Sequence, residues 1–248
     1  MLIKILQAGE RAFQLLQGKG IGGHTLRLEA SAASKFLTSG SIVFDVGANK
    51  GLYTKALLRV CGPLISQVHL FEPTKTNCEI LAEIHDPRVI VNRFGLGDRE
   101  EQRVLFSNFS GSGLGSLYER HLDHRGIEMR ASETVSISTL DGYAERNGIG
   151  RIDLLKLDVE GHEVSVLHGA QKSLESRIST IQFEFGGCNI DSRTYFRDFW
   201  ELLSDFGFQF SVLSPLFGPL RIGAYSETLE CFTTTNFFAT RKTGQTRA

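Results

Sequence analysis

The chain alternates short apolar runs with segments of helical periodicity, and this alternation restricts the folds that it can adopt. Buried strands are predicted at residues 41–45, 67–72, 88–94, 153–157 and 178–185, with helices between several of them. Apolar strands separated by helices are typical of a parallel sheet that carries helices on both faces. The 248 residues, of which 41% are hydrophobic, can bury a sizeable core, so global disorder is excluded.

The sequence divides into three segments. Residues 1–40 are predicted to form a helical extension, residues 41–240 the α/β domain, and residues 241–248 a polar tail. Within the domain, residues 101–138 indicate an insertion, in which two segments of period-2 hydrophobicity flank a Gly/Ser-rich loop at 107–116. Most loops of this composition are connectors, whereas some cover a substrate site.

Charge, hydropathy and cysteine usage exclude several classes of partner. The chain has 27 Lys and Arg against 28 Asp and Glu, without a basic stretch, so nucleic acid is not an expected partner. The apolar residues near the N-terminus are interrupted by charges, which predicts neither a membrane span nor a signal peptide. Four cysteines without metal-binding spacing are expected to be free thiols in a reducing cytoplasm. The oligomeric state stays open, with a homodimer among the options.

The turn after the first predicted strand is the strongest functional motif. Asp45 ends the strand, and Gly47, Asn49 and Gly51 form a turn that leads into a helix. Such a turn lets backbone N–H groups approach a ligand, with the helix N-terminus behind them. The spacing differs from the G-x-G-x-x-G of dinucleotide-binding proteins. Asp45 would repel a pyrophosphate, but it suits a ligand that carries an ammonium group.

A second acid, Glu72, ends the next predicted strand, 21 residues beyond Gly51. A carboxylate at that place can accept hydrogen bonds from the two hydroxyls of a ribose. A cationic amino-acid group near Asp45 and a ribose at Glu72 describe S-adenosylmethionine better than a nicotinamide dinucleotide.

Eight stretches of the chain are similar to the motifs of one enzyme family. They are 44–51 (FDVGANKG), 68–73 (VHLFEP), 95–98 (GLGD), 138–141 (STLD), 152–163 (IDLLKLDVEGHE), 166–170 (VLHGA), 181–184 (IQFE) and 236–239 (NFFA). On these residues the chain resembles the FkbM-type methyltransferases over about residues 40–240.

The resemblance implies a single Rossmann-like α/β domain of the class I methyltransferase type. Its seven-stranded sheet would be mostly parallel with an antiparallel last strand, and S-adenosylmethionine would be the methyl donor. The residues expected to bind this cofactor are Asp45, Gly47, Asn49, Gly51, Glu72, Gly97 and Asp98.

Transfer of a methyl group to a hydroxyl also requires that the hydroxyl lose its proton, to a general base or with the help of a metal. Asp158 and Glu184 directly follow or end apolar strands, and His162 lies nearby. These three residues are the predicted catalytic groups. Asp158, Glu160 and Glu184 could instead hold Mg²⁺ as an additional cofactor. Glu163 is expected to complement a helix dipole, and Lys156 to pair with an acid.

The sequence therefore predicts an S-adenosylmethionine-dependent O-methyltransferase. The resemblance to the family implies that the acceptor is a hydroxyl of a small molecule or glycan, such as a sugar, a glycan precursor or a secondary metabolite. Two alternatives remain. One is a Rossmann-type oxidoreductase that uses nicotinamide, which the spacing of the turn disfavours. The other is a cofactor-binding module without turnover, which would have no need of the acids at 158, 160, 163 and 184.

Overall fold

The computed structural model describes residues 2–20 and 25–241, and the fold is built on strands that form two sheets. The strands of the described residues are β1 (Ser41–Val46), β2 (Ile65–Phe71), β3 (Val89–Asn92), β4 (Gly95–Leu96), β5 (Glu101–Ser107), β6 (Ala131–Ser138), β7 (Ile152–Leu157), β8 (Ile178–Phe185), β9 (Phe208–Ser214), β10 (Gly218–Arg221) and β11 (Thr235–Arg241).

Helices connect most of these strands. The α-helices of the described residues are α1 (Leu2–Leu16), α2 (Leu26–Ala33), α3 (Leu52–Cys61), α4 (Lys75–Leu81), α5 (Leu140–Arg146), α6 (Glu163–His168), α7 (Gln171–Ser176), α8 (Cys188–Ser192) and α9 (Phe196–Asp205). None of them is long and apolar enough to span a bilayer.

The main sheet has eight strands in the order β10-β9-β11-β8-β7-β1-β2-β3. The predicted doubly wound architecture is confirmed, because β3, β2, β1, β7 and β8 pair in parallel and β11 runs antiparallel to both of its neighbours. The eighth strand, β10, was not predicted. It is a short antiparallel edge strand that contains Pro219. Proline is tolerated at a sheet edge, and its presence weakens the sequence signal for a strand.

The two faces of the sheet bury separate apolar clusters. Phe44 and Val46 of β1 belong to one cluster, together with Val166 of α6, whereas Val43 belongs to the other, together with Leu57 of α3. Successive side chains of a strand point to opposite faces, so β1 contributes to both cores. The predicted cover of helices on both faces is thereby confirmed.

The insertion forms a second sheet of its own. β5 pairs antiparallel with β6 over seven residue pairs, and β4 joins the other edge of β6. The connection between β5 and β6 folds back on itself, since the backbone groups of Phe106 and Ser116 exchange hydrogen bonds of 2.8 and 2.9 Å. The Gly/Ser-rich loop is therefore held close to the sheet.

The N-terminal segment contains two helices in different environments. α2 packs into the core, where Ala30 and Ala33 are fully buried. The Glu29 carboxylate of α2 accepts hydrogen bonds from Thr25 Oγ1 at 2.6 Å and from Gln182 Nε2 of β8 at 2.8 Å. α1 leaves apolar side chains such as Phe13 exposed. The predicted polar tail lies outside the described residues from residue 242 onward.

Eleven of the 18 phenylalanines follow residue 180, and several of them pack between the last strands and α9. The Phe183 ring of β8 lies 4.6 Å from that of Phe199 and 5.5 Å from that of Phe237, measured between centroids. All three side chains are buried.

We expect Phe183→Ala to lower the free energy of unfolding by about 3–5 kcal/mol, because it removes a large side chain from a packed core. Phe217→Ala is the matched control. Phe217 is 67% exposed, and its loss should change the stability by less than about 0.5 kcal/mol. Denaturant unfolding of the two variants measures the difference, and equal effects would contradict this description of the core.

Candidate active site

A cavity opens at the carboxyl ends of β1, β2 and β7, and it is called the first cavity below. It encloses about 870 Å³ of space, part of which is open to solvent. Its walls come from the turns after these three strands, from β4 and from the insertion. The lining residues include Gly47, Asn49, Glu72, Thr74, Asn77, Gly95, Leu96, Ser112, Gly113, Leu117, Ile137, Asp158, Glu160, His162 and Glu184. The Gly/Ser-rich loop therefore covers this cavity.

The turn after β1 is fixed against two neighbouring strands. Gly47 has a φ of +80°, and a Cβ at this position would lie 1.9 Å from the carbonyl oxygen of Asp158. The N–H groups of Gly47 and Ala48 donate to the carbonyl of Phe71 at 2.9 and 3.1 Å. Gly51, with a φ of +71°, starts α3 and does not line the cavity. Only glycine fits at position 47, because the turn is held tightly against the loop after β7.

Glu72 joins the turns after β1 and β2. Its Oε2 accepts a hydrogen bond of 2.9 Å from Asn49 N, and its Oε1 accepts from Thr74 N at 3.0 Å and from Thr74 Oγ1 at 2.6 Å. A carboxylate offers about four acceptor positions. Glu72 is thus held in place by the protein and still has acceptor capacity for a ligand in the cavity.

Three buried polar atoms of residues that line the first cavity have no hydrogen-bond partner in the described protein. They are Asn49 Oδ1, Asn77 Oδ1 and His162 Nε2. Buried polar groups are nearly always paired, so these atoms indicate a polar ligand. The sequence analysis did not identify Asn77; its signal is an amide on the buried side of α4, beside the buried Leu81.

His162 lies on the wall of the first cavity near β4. Its Nδ1 shares a hydrogen bond of 3.1 Å with the hydroxyl of Tyr118, and its Nε2 lies 2.9 Å from where a Cβ of Gly97 would stand. Burial lowers the pKa of His162 to about 4. An imidazole with so low a pKa is a weak proton acceptor, although its unpaired Nε2 lines the cavity, and its role as catalytic base stays a prediction.

The two residues predicted after β4 differ in their placement. Neither lines the first cavity, but Gly97 lies beside His162, which does, whereas Asp98 faces elsewhere. Asp98 Oδ1 instead accepts a hydrogen bond of 3.3 Å from Ser165 Oγ of α6. β4 has only two residues, so the chain has left the cavity wall before it reaches Asp98.

A second cavity lies beyond the turn after β1 and contains Asp45. The Asp45 carboxylate accepts a hydrogen bond of 2.6 Å from Thr54 Oγ1. Burial raises the pKa of Asp45 to about 6, against the opposing effects of Lys156 and Thr54. The two cavities share four lining residues, Gly47, Asn49, Asp158 and Glu184. A ligand of the first cavity can therefore extend towards Asp45.

Lys156 pairs with an acid, as the sequence indicated. Its Nζ donates to Asp158 Oδ2 at 2.9 Å and lies 5.2 Å from the ring centroid of Tyr53. Burial lowers the pKa of the ammonium group, but Asp158, Glu29 and Asp45 outweigh it and raise the pKa above its usual value. Lys156 thus stays charged and fixes the orientation of Asp158.

A third cavity, of about 1770 Å³, is lined by Glu160, which follows β7, and by Glu184, near the end of β8. Glu160 lines both the first and the third cavity, and Glu184 lines all three. No hydrogen bond to the Glu184 side chain is formed within the described residues. Ligands in the first and third cavities would therefore meet at Glu160 and Glu184.

The acids at this junction have raised pKa values. Burial, followed by the charges of Asp158 and Glu160, raises the pKa of Glu184 well above its usual range. Burial and Asp158 raise the pKa of Glu160 to about 8, although its ion pair with Arg120 opposes the shift. Burial also raises the pKa of Glu163, to about 7, but its Oε1 accepts hydrogen bonds from the N–H groups of Val159 and Gly161, just before α6. This contact gives Glu163 a structural role.

The predicted metal site is not supported. Among the residues that the structure describes, no group of three or more His, Cys, Asp or Glu side chains is arranged to hold a metal ion. The physical reason is that the predicted ligands are turned towards other partners. Asp158 faces Lys156, and Glu160 faces Arg120.

We expect the stability of the protein to fall between about pH 7 and about pH 8.5. A carboxyl group whose pKa is raised on folding binds more protons in the native state, so its contribution is lost as the pH rises through the folded pKa. Glu160 alone should contribute about 1 kcal/mol to this loss. His69 and His162, whose pKa values are lowered to about 4, contribute below this range.

Denaturant unfolding at about pH 7 and about pH 8.5 measures this loss of stability. The Glu160→Gln variant should show a smaller loss than the wild type. A pH dependence that is unchanged by this substitution would show that Glu160 is not protonated near neutrality.

Comparison with known proteins identifies the family. The profile of the methyltransferase FkbM domain matches residues 45–210. The AMB antimetabolite synthetase AmbE of Pseudomonas aeruginosa is 27% identical over 175 residues, which cover 58% of this chain and 8% of the synthetase.

Two solved structures are similar at lower identity. The methyltransferase FkbM of Methylobacillus flagellatus is 16% identical with a TM-score of 0.49, and the match covers 81% of this chain and 43% of that one. A SAM-dependent O-methyltransferase of Thermotoga maritima is 14% identical with a TM-score of 0.46, over 88% of this chain and 66% of that one. The family profile matches more than half of the chain, in agreement with the motifs found in the sequence. The chain therefore belongs to the FkbM methyltransferase family.

Proposed function

We propose that the chain transfers a methyl group from S-adenosylmethionine in the first cavity to a hydroxyl of an acceptor in the third cavity. The observation that carries the proposal is the shared boundary of the two cavities at Glu160 and Glu184. A group transfer requires that donor and acceptor touch, and these residues mark where they would do so.

The charge of the first cavity favours S-adenosylmethionine over a dinucleotide. The residues that line it include four acids, Glu72, Asp158, Glu160 and Glu184, and no lysine or arginine. A pyrophosphate would meet these acids without a cation to neutralise it. S-adenosylmethionine carries a sulfonium and an ammonium group, so it complements them.

The polar atoms of the first cavity fit an adenosine. Glu72 has acceptor capacity left for the ribose hydroxyls. Asn77 and His162 provide unpaired buried atoms for the polar edge of the base, between the apolar side chains of Leu96 and Ile137. The amino-acid part would extend past Gly47 towards Asp158 and Asp45, where an ammonium group would favour the ionised form of Asp45.

When bound, S-adenosylmethionine supplies a sulfonium methyl group, whose transfer to a hydroxyl oxygen leaves the electron pair on sulfur and releases the hydroxyl proton. Glu184 is proposed as the base that accepts this proton. Its carboxylate has no protein partner within the described residues, and its raised pKa makes it a stronger base than an ordinary glutamate. Asp158, held by Lys156, is the second candidate for the base.

The resemblance to the family implies a sugar, a glycan precursor or a secondary metabolite as the acceptor. A nicotinamide-dependent oxidoreductase has no observation in its favour. A module without turnover would bind the cofactor but would transfer no methyl group to any acceptor.

We expect S-adenosylhomocysteine to bind and NAD not to bind, as measured by calorimetry. Glu72→Gln should weaken S-adenosylhomocysteine binding by about tenfold or more, because a glutamine amide turns an N–H group towards one of the N–H donors that Glu72 accepts.

Glu83→Gln, at an exposed position that lines none of the three cavities, is the control and should bind like the wild type. Circular dichroism of both variants verifies folding. Tight NAD binding, or full affinity of folded Glu72→Gln, would disprove the assignment of the first cavity.

We expect Glu184→Gln to keep S-adenosylhomocysteine affinity and to lose methyl transfer by about 100-fold or more, because it removes the proton acceptor. Asp158→Asn should also lower turnover. The measurement is a screen of methyl transfer from labelled S-adenosylmethionine to hydroxylated acceptors, including sugars. If both variants retain full activity, neither acid is the base.

A further inference from the structure

The third cavity is built from segments that lie far apart in the sequence. α1 contributes Arg11, and α8 contributes Asp191. The insertion contributes residues 120–122, 124 and 125. Glu160 and Glu184 lie at its boundary with the first cavity. Its size exceeds that of the first cavity, so it can hold a large part of an acceptor.

The third cavity is lined by acids and by basic side chains from different segments. Glu160 and Glu184 also line the first cavity. Arg11, His121, His124 and Arg125 belong to α1 and the insertion, and all four are exposed. The cavity thus combines the acids next to which the methyl group would arrive with exposed Arg and His side chains from α1 and the insertion.

The arginines of the third cavity differ in their partners. Arg120 is buried and pairs with Glu160 and with Asp191, at 2.5 and 3.5 Å. The single positive charge of Arg120 is thus already engaged by acids of the protein. Arg11 and Arg125 form no ion pair with an acid of the described residues, so their guanidinium groups can bind a ligand. Arginine matches the planar, two-oxygen geometry of carboxylates and phosphates.

We propose that the acceptor carries an anionic group, a phosphate or a carboxylate, which Arg11 and Arg125 bind while the acceptor hydroxyl faces Glu184. This inference rests on the proposed function and adds the class of the substrate. His121 and His124 also line the third cavity and offer further hydrogen-bond donors to the anion.

The protonation of Glu160 supports this assignment. Burial, followed by the charge of Asp158, raises the pKa of Glu160 to about 8, so its negative charge is reduced near neutral pH. Asp191 is balanced by Arg120. The two unpaired arginines therefore dominate the charge of the third cavity, and a cationic acceptor would be repelled.

The test compares three probes for binding to the protein saturated with S-adenosylhomocysteine: glucose 1-phosphate, glucuronate and methyl glucoside. At least one anionic sugar should bind about tenfold or more tightly than the neutral sugar, and the one that binds more tightly shows whether phosphate or carboxylate is preferred. Calorimetry or ligand-observed NMR measures the affinities.

The double variant Arg11→Gln/Arg125→Gln should lose this preference while it binds S-adenosylhomocysteine as the wild type does. Arg59→Gln, an exposed arginine of α3 that lines none of the three cavities, is the matched control and should keep the preference. The inference is wrong if the anionic sugars bind no more tightly than methyl glucoside, or if the double variant retains the preference. If the wild-type protein does not bind S-adenosylhomocysteine, the proposed function is disproved instead.

Discussion

The buried carboxylate of Glu72 holds together the two turns that form one wall of the first cavity. It accepts hydrogen bonds from Asn49 in the turn after β1 and from Thr74 in the turn after β2. The first turn can approach Glu72 only because Gly47 fits against the carbonyl of Asp158. Glu72 and Gly47 thus hold the carboxyl ends of β1, β2 and β7 in register. The other residues of the site are positioned relative to these three strand ends.

Glu160 and Glu184, at the carboxyl ends of β7 and β8, lie between the first and third cavities, which differ chemically. The first cavity is acidic and has unpaired buried atoms that suit a cationic nucleoside, whereas the third is bordered by unpaired arginines. Glu184 borders both, and its burial keeps its pKa raised. The same physical condition, removal of a carboxyl group from water, therefore makes the ionised Glu184 a stronger base and reduces the negative charge of Glu160 beside an anionic acceptor.

The sequence predicted the parallel sheet, the turn after β1 and the place of Glu72, because these depend on local apolar runs and on the residue that ends each strand. It placed Asp45 at the end of β1, but it did not predict that the alternation of the strand turns this side chain towards the second cavity. The position of His162 depends on Tyr118 of the insertion. The third cavity depends on α1 and the insertion coming together, which no local pattern shows.

A crystal structure with S-adenosylhomocysteine tests the central claim most directly. The account predicts that the ribose hydroxyls lie within hydrogen-bond distance of Glu72, that the adenine lies near Asn77 and His162, and that the sulfur faces the boundary of the third cavity at Glu184. A ligand whose ribose lies away from Glu72, or whose sulfur faces away from Glu184, would contradict it.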